Sequence, residues 1–215
     1  MTDTDINDYA EAHSSPESDI LKKLNRETNV NVPFPRMLAG NMQGKLLQMI
    51  SCMLRPKKIL EVGTYTGYSA LCLSEGLAEN GILHTIEINP EREDVIRKYI
   101  AEAGLTKKIN LHIGNALDII PAINGPFELV FIDADKENYL KYYHSIFDKV
   151  RKGGFILADN ALWGGKVLKE SSPSDTETIA IKEFNRYILN DKRVKNLLLP
   201  FRDGLMIIRK ISGSL

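Results

Sequence analysis

The sequence predicts an α/β fold: a Rossmann-like, mostly parallel open sheet with helices on both faces and an antiparallel strand pair at one end. Three observations predict it. From Lys57 onward, short apolar runs alternate five times with helical stretches, which makes parallel strands joined by right-handed crossovers. A turn bearing Gly63 and Gly67 follows the first of those runs. Two further runs near the C-terminus are joined by a short link containing Asp203-Gly204, which favours a hairpin.

The elements follow in order. Residues 1 to 7 are polar and read as frayed. Ser15 can cap a helix, with Pro16 at its first position, Glu17 and Asp19 at the positive end of its dipole, and Ile20, Leu21 and Leu24 as its apolar stripe. Pro33 and Pro35 break the chain. A second helix is expected from Leu38 to Leu54, buried through Met42, Leu46, Ile50, Met53 and Leu54, and stopped by Arg55-Pro56. Strands are expected at Ile59–Val62, Leu83–Ile88, Ile109–Ile113, Leu129–Ile132 and Phe155–Ala158. Helices are expected to about Ala78, over Glu91–Ala103, to about Val150, and over Thr176–Leu189. Asn196–Leu199 and Leu205–Arg209 close the chain, which brings the strands to seven. No repeat, linker or low-complexity segment divides it. One domain, 1–215, is expected, with 1–56 as a helical cover and 57–215 as the α/β core.

Bulk properties narrow the function. The 215 residues are enough for one well-buried α/β domain. Lys plus Arg equals Asp plus Glu, 28 against 28, so no general field draws in nucleic acid. The polar, acidic segment Met1 to Glu11 is no signal peptide, and no apolar run approaches the roughly 20 residues that span a bilayer. A cytoplasmic protein without a membrane partner is expected. Cys52 and Cys72 fall in predicted helices without metal spacing and are expected to be small buried residues in a reducing compartment. His13, His84, His112 and His144 also lack metal spacing and read as structural.

Ligands of open α/β sheets bind beyond the carboxyl ends of the strands. After the first strand stands Glu61-Val62-Gly63-Thr64-Tyr65-Thr66-Gly67-Tyr68-Ser69. The spacing is G-x-x-x-G. Tyr65 occupies the place where a dinucleotide's pyrophosphate needs a glycine, which argues against NAD or FAD. Glu87, after the second strand, can accept from ribose hydroxyls, and Gly114-Asn115-Ala116 offers backbone groups to an adenine edge.

The fourth strand ends in Phe131-Ile132-Asp133-Ala134-Asp135-Lys136 and the fifth in Ala158-Asp159-Asn160. Neighbouring parallel strands lie about 4.8 Å apart, so Asp133, Asp159 and Asn160 can converge. Two carboxylates and an amide oxygen are hard ligands, suited to Mg²⁺ or Ca²⁺ rather than Zn²⁺. Mg²⁺ takes six oxygens, so three remain for two adjacent acceptor oxygens and a water. Phenols have a pKa near 10 and are poor nucleophiles at neutral pH; a bound cation lowers that value. Lys136, three residues past Asp133, is the candidate general base. The bland alternative is that these acids only cap helices, which explains any one of them but not the whole set.

These residues resemble the class I, cation-dependent O-methyltransferases, including caffeoyl-coenzyme A and catechol O-methyltransferases, with the bacterial branch nearest. The likeness runs from about Tyr9 to Lys210. It is carried by E-V-G-T-Y-T-G-Y-S at 61–69, F-I-D-A-D-K-E-N-Y at 131–139, A-D-N-A-L-W at 158–163 and R-D-G-L at 202–205. The resemblance implies a seven-stranded sheet with its last strand antiparallel, S-adenosylmethionine as methyl donor, and a small hydroxylated aromatic acceptor. It implies that Asp133, Asp159 and Asn160 hold the cation, Mg²⁺ with Ca²⁺ or Mn²⁺ as alternatives, and that Lys136 is the base. It places Glu61, Gly63, Ser69, Glu87, the Ala116 backbone, Asp133 and Asp135 around the cofactor. Met37 falls near the departing methyl and beside the acceptor, with Trp163 also next to the acceptor. It implies a homodimer. Leu38-Ala39 stand where plant members carry Thr-Thr, so hydroxyl contacts at those positions are lost. Two other readings remain open: a metal-independent methyltransferase acting on nitrogen or a macromolecule, and a noncatalytic cofactor-binding dimer.

Overall fold

The computed structural model describes residues 3–212. A seven-stranded sheet runs through it in the order β3-β2-β1-β4-β5-β7-β6. The strands are β1 (Lys58–Val62), β2 (Ile82–Glu87), β3 (Ile109–Ile113), β4 (Phe127–Ile132), β5 (Val150–Ala158), β6 (Val194–Leu199) and β7 (Leu205–Lys210). The first five pair in parallel. β7 is antiparallel to both β5 and β6, so the chain's last strand is slotted between them. The predicted fold class and hairpin are both present.

Because both faces are covered, these strands are apolar on both sides rather than alternating. Odd and even residues feed two cores. Leu60, Val62, Val130, Ile132 and Ile156 pack with α7 (Tyr139–Phe147) and α8 (Thr176–Asn190). Ile59, Leu83, Leu129, Phe131 and Leu157 pack with α2 (Asp19–Asn31), α3 (Gly40–Leu54), α4 (Tyr68–Ser74) and α5 (Glu93–Glu102). Fully burying each such side chain contributes roughly 1.5–3 kcal/mol. Among the described residues no helix is long and apolar enough to cross a membrane.

The N-terminal third departs from the sequence expectation. Met1 and Thr2 lie outside the described residues, and α1 (Asp3–Ala12) is helical where a frayed end was expected. The next helix starts at Asp19, with Ser18 as its extended cap residue, not at Ser15. Helix α3 fully buries Gln43, Gly44, Leu47 and Ser51; of the expected stripe, Leu46, Ile50 and Leu54 pack half-buried against the core, while Met53 is 76% exposed. The reason is close packing. A Cβ on Gly44 would come within 2.7 Å of the Tyr68 ring and 2.8 Å of Cys72 Sγ, so the small residues of α3 set the seam with α4. Cys52 is consequently exposed, while Cys72 is buried as expected. The helix after β1 ends at Ser74 rather than Ala78. A further short helix, α6 (Ala116–Ile119), capped by the Asn115 side chain, was not legible.

Candidate active site

A cavity of about 760 Å³ opens at the carboxyl ends of β1, β2, β4 and β5, within the size range of sites for cofactors and drug-sized ligands. The chain passes it in short segments. Gly63 has φ +97°, and a Cβ there would sit 1.9 Å from the Asp133 carbonyl oxygen. Only glycine lets the tips of β1 and β4 approach this closely.

On one side of the cavity stands Glu87, 2% exposed. Its Oε2 accepts from the Tyr65 amide at 2.7 Å, and its Oε1 from the Asn89 amide and Arg92 Nη1, each at 2.9 Å. The Arg92 guanidinium also stacks 4.6 Å over the Tyr65 ring. A carboxylate offers about four acceptor positions, so Glu87 is oriented by the protein and keeps capacity for one more donor. Ala116 and Ser69 line the same cavity.

Register brings the other group together. Ile132 pairs with Ala158, and the Asp159 amide donates to the Ile132 carbonyl at 3.0 Å, so Asp133 and Asp159 occupy neighbouring strand tips. Asn160 follows in a left-handed conformation, φ 56°, which Asn tolerates better than most residues. Lys136 is 6% exposed. Its Nζ donates to Asp133 Oδ1 at 3.0 Å and to Tyr139 Oη at 2.7 Å. The Tyr139 hydroxyl in turn donates to the Asp159 carbonyl at 3.0 Å, which fixes it as an acceptor toward the lysine. Trp163 lines the cavity with Lys136 Nζ 5.7 Å from its ring, and its buried Nε1 has no partner.

Burial, and then the charge of Asp133, push the Asp159 carboxyl up to about 6. Two acids that repel across a shared space, with an amide oxygen beside them, form a donor set that a hard divalent cation would relieve. Among the described residues no three His, Cys, Asp or Glu side chains gather as a metal cluster; this set has two carboxylates and draws its third oxygen from an amide. The residues present therefore fit Mg²⁺ better than Zn²⁺.

The remaining sequence-derived residues separate. Met37 lines the cavity and is half exposed, in a 3-10 turn after Pro35. Asp135 lines it too, accepting from Tyr142 and Asn138. Glu61 stands behind the cavity, fully buried, with Thr85 donating to Oε2 at 2.5 Å and no hydrogen bond of good geometry at Oε1. Sequence reasoning missed Gln43 and gave no role in the site to Tyr139, Arg202 and Asp203, although these three stand in the motifs at 131–139 and 202–205. A glutamine beside a glycine on the covered face of the helix was the only signal for Gln43.

Glu61 yields a stability prediction. Burial pushes its carboxyl up to about 7, against the pull of Ser69 and Thr85. Between about 4.5 and 7 the folded chain keeps a proton that the unfolded chain has released, so this group's contribution to stability falls as pH rises through that window. Glu61→Gln, which cannot titrate, is expected to gain on the wild type by about 2–3 kcal/mol between pH 4.5 and 8. Paired thermal melts across that range check it; a gap that does not change with pH contradicts it.

Comparison with known proteins agrees with this geometry. Residues 11–211 match the O-methyltransferase family. Caffeoyl-CoA O-methyltransferase 1 from Zea mays is 34% identical over 207 residues, covering 91% of this chain and 79% of that protein. The crystal structure of an O-methyltransferase from Bacillus cereus in complex with SAH superposes with a TM-score of 0.89 at 28% identity, covering 96% of this chain and 97% of that one. TomG from Streptomyces achromogenes, an O-methyltransferase of tomaymycin synthesis solved with SAM, does so with a TM-score of 0.89 at 26% identity, covering 99% of this chain and all of that one.

Proposed function

The chain belongs to the O-methyltransferase family, and from that premise we propose that it moves the methyl group of S-adenosylmethionine, with the help of a divalent cation, onto one hydroxyl of a small catechol-like or caffeoyl-like acceptor. In this reading residues 1–215 act as one methyltransferase domain in a cytoplasmic homodimer. The observation that carries the reading is the convergence of Asp133, Asp159, Asn160 and the buried Lys136 on the cavity that Glu87 also lines. The same carboxylates give the cavity a negative character suited to a sulfonium and an ammonium group.

Each residue then has a task. Glu87 accepts from the ribose, and the Ala116 backbone meets the adenine. Gly63, Ser69, Asp135 and, from behind, Glu61 surround the amino-acid end of the cofactor. Met37 lies near the methyl and Trp163 against the acceptor ring. Asp133, Asp159 and Asn160 would hold Mg²⁺, which when bound lowers the pKa of an acceptor hydroxyl. Lys136 takes the acceptor's proton, and Tyr139 and Asp133 keep its amine aimed. Fixing acceptor oxygen and methyl carbon in line supplies much of the remaining acceleration.

The test is methyl transfer from labelled S-adenosylmethionine to a panel of catechols, caffeate esters and flavonoids, with Mg²⁺ and with excess EDTA. Product from vicinal diols in Mg²⁺ alone is expected. Undiminished turnover in EDTA, or methylation confined to amines, would sink the proposal.

A further inference from the structure

Two side chains from one turn reach the two oxygen donors at the tip of β5, Asp159 and Asn160. Arg202 and Asp203 lie between β6 and β7, and the first of them is left-handed, φ 52°. The turn is pinned to the residues after β5: the Ala161 amide donates to the Gly204 carbonyl and the Leu162 amide to the Asp203 carbonyl, both at 2.9 Å. Gly204 packs so tightly there that a Cβ would meet the Leu162 side chain at 2.5 Å.

From this platform two bonds reach inward. Arg202 Nη1 donates to Gln43 Oε1 at 2.8 Å, and Gln43 Nε2 donates to Asp159 Oδ2 at 2.6 Å. Asp203 Oδ2 accepts from Asn160 Nδ2 at 3.2 Å. A primary amide can present either end to a neighbour. A guanidinium only donates and a carboxylate only accepts, so each selects one end. Arg202 captures the oxygen of Gln43 and thereby turns its N–H toward Asp159. Asp203 captures the N–H of Asn160 and thereby frees its oxygen. One basic and one acidic neighbour thus set two amides in opposite senses, and both settings favour oxygen donation to a cation.

We infer that Arg202 and Asp203 are paired positioning residues for the cation site, Arg202 acting on Asp159 through Gln43 and Asp203 acting on Asn160 directly. This rests on the reading of Asp133, Asp159 and Asn160 as the cation's ligands. Partners that orient metal ligands commonly alter metal affinity 10- to 100-fold when removed. Arg202 is exposed, so its share is smaller.

The test uses the full chain and two titrations: Mn²⁺ followed by water-proton relaxation, and S-adenosylhomocysteine by calorimetry. Asp203→Ala is expected to weaken Mn²⁺ about tenfold and Arg202→Met about threefold, with S-adenosylhomocysteine affinity unchanged within twofold. Arg202→Lys, which still donates, should restore most of the Arg202→Met loss. Asp203→Asn, which can turn either end toward Asn160, replaces Asp203→Ala if that variant does not fold, and a loss between wild type and alanine is expected. Wild-type Mn²⁺ affinity in both variants overturns the inference alone. Equal loss of Mn²⁺ and S-adenosylhomocysteine also overturns it, because it marks a general disturbance. A wild type that binds S-adenosylhomocysteine but not Mn²⁺ overturns the cation reading and this inference with it.

Discussion

Asp159→Asn is expected to reduce methyl transfer in saturating Mg²⁺ by at least about a hundredfold, while S-adenosylhomocysteine still binds within about threefold of wild type. The substitution keeps the shape and leaves an oxygen for Gln43 Nε2 to bond, so the 2.6 Å contact survives. What goes is one negative charge of the pair that would hold the cation. Burial and the charge of Asp133 already hold Asp159 above the usual carboxylate range, so the neutral variant should also be no less stable than the wild type without cation. Initial rates with labelled donor, calorimetry and a thermal melt on one preparation decide it. Full activity in Asp159→Asn would remove this residue from the cation site.

Lys136→Met is expected to lower kcat at neutral pH by roughly 10²- to 10⁴-fold, the span of a lost general base. Mn²⁺ binding should persist or strengthen, because the donor that occupies Asp133 Oδ1 at 3.0 Å has gone. The pH profile separates this from misfolding. An acceptor hydroxyl that must ionise without a base does so at its own pKa, which the bound cation holds below the free phenol's value near 10, so the variant's rate should climb about tenfold per pH unit toward that pKa. A flat profile, or a variant that loses cation binding as well, contradicts a proton-accepting role.

The sheet was legible because each strand is a short, mostly apolar run flanked by turn residues, and β3 (Ile109–Ile113) falls where the sequence places it. The strand tips were legible because parallel register fixes which residues become neighbours: Asp133 follows Ile132, Asp159 follows Ala158, and those two are paired. The covering helices were less so. Periodicity in α3 favoured its large side chains, while Gly44 and Ser51 decided the packed face, since small residues let a partner approach more closely than large ones. The surroundings of the site were legible only in part: Tyr139, Arg202 and Asp203 stand in the motifs at 131–139 and 202–205, but nothing in the sequence joins them to Gln43. Gln43 is 116 residues from Asp159 and 159 from Arg202, and no local pattern marks pairs made only by the fold.

The reversed direction of the last strand has a practical outcome. β7 begins near the cavity and runs away from it, and at its far end Lys210 Nζ donates to the carbonyls of Phe147 and Val150, where β5 starts. The described residues, which end at Ser212, therefore finish at the pole opposite the cavity, and a tail joined on that side would start there. Anchored to a resin or electrode by that tail, the protein would present its open mouth to the bathing solution, free for substrates to enter.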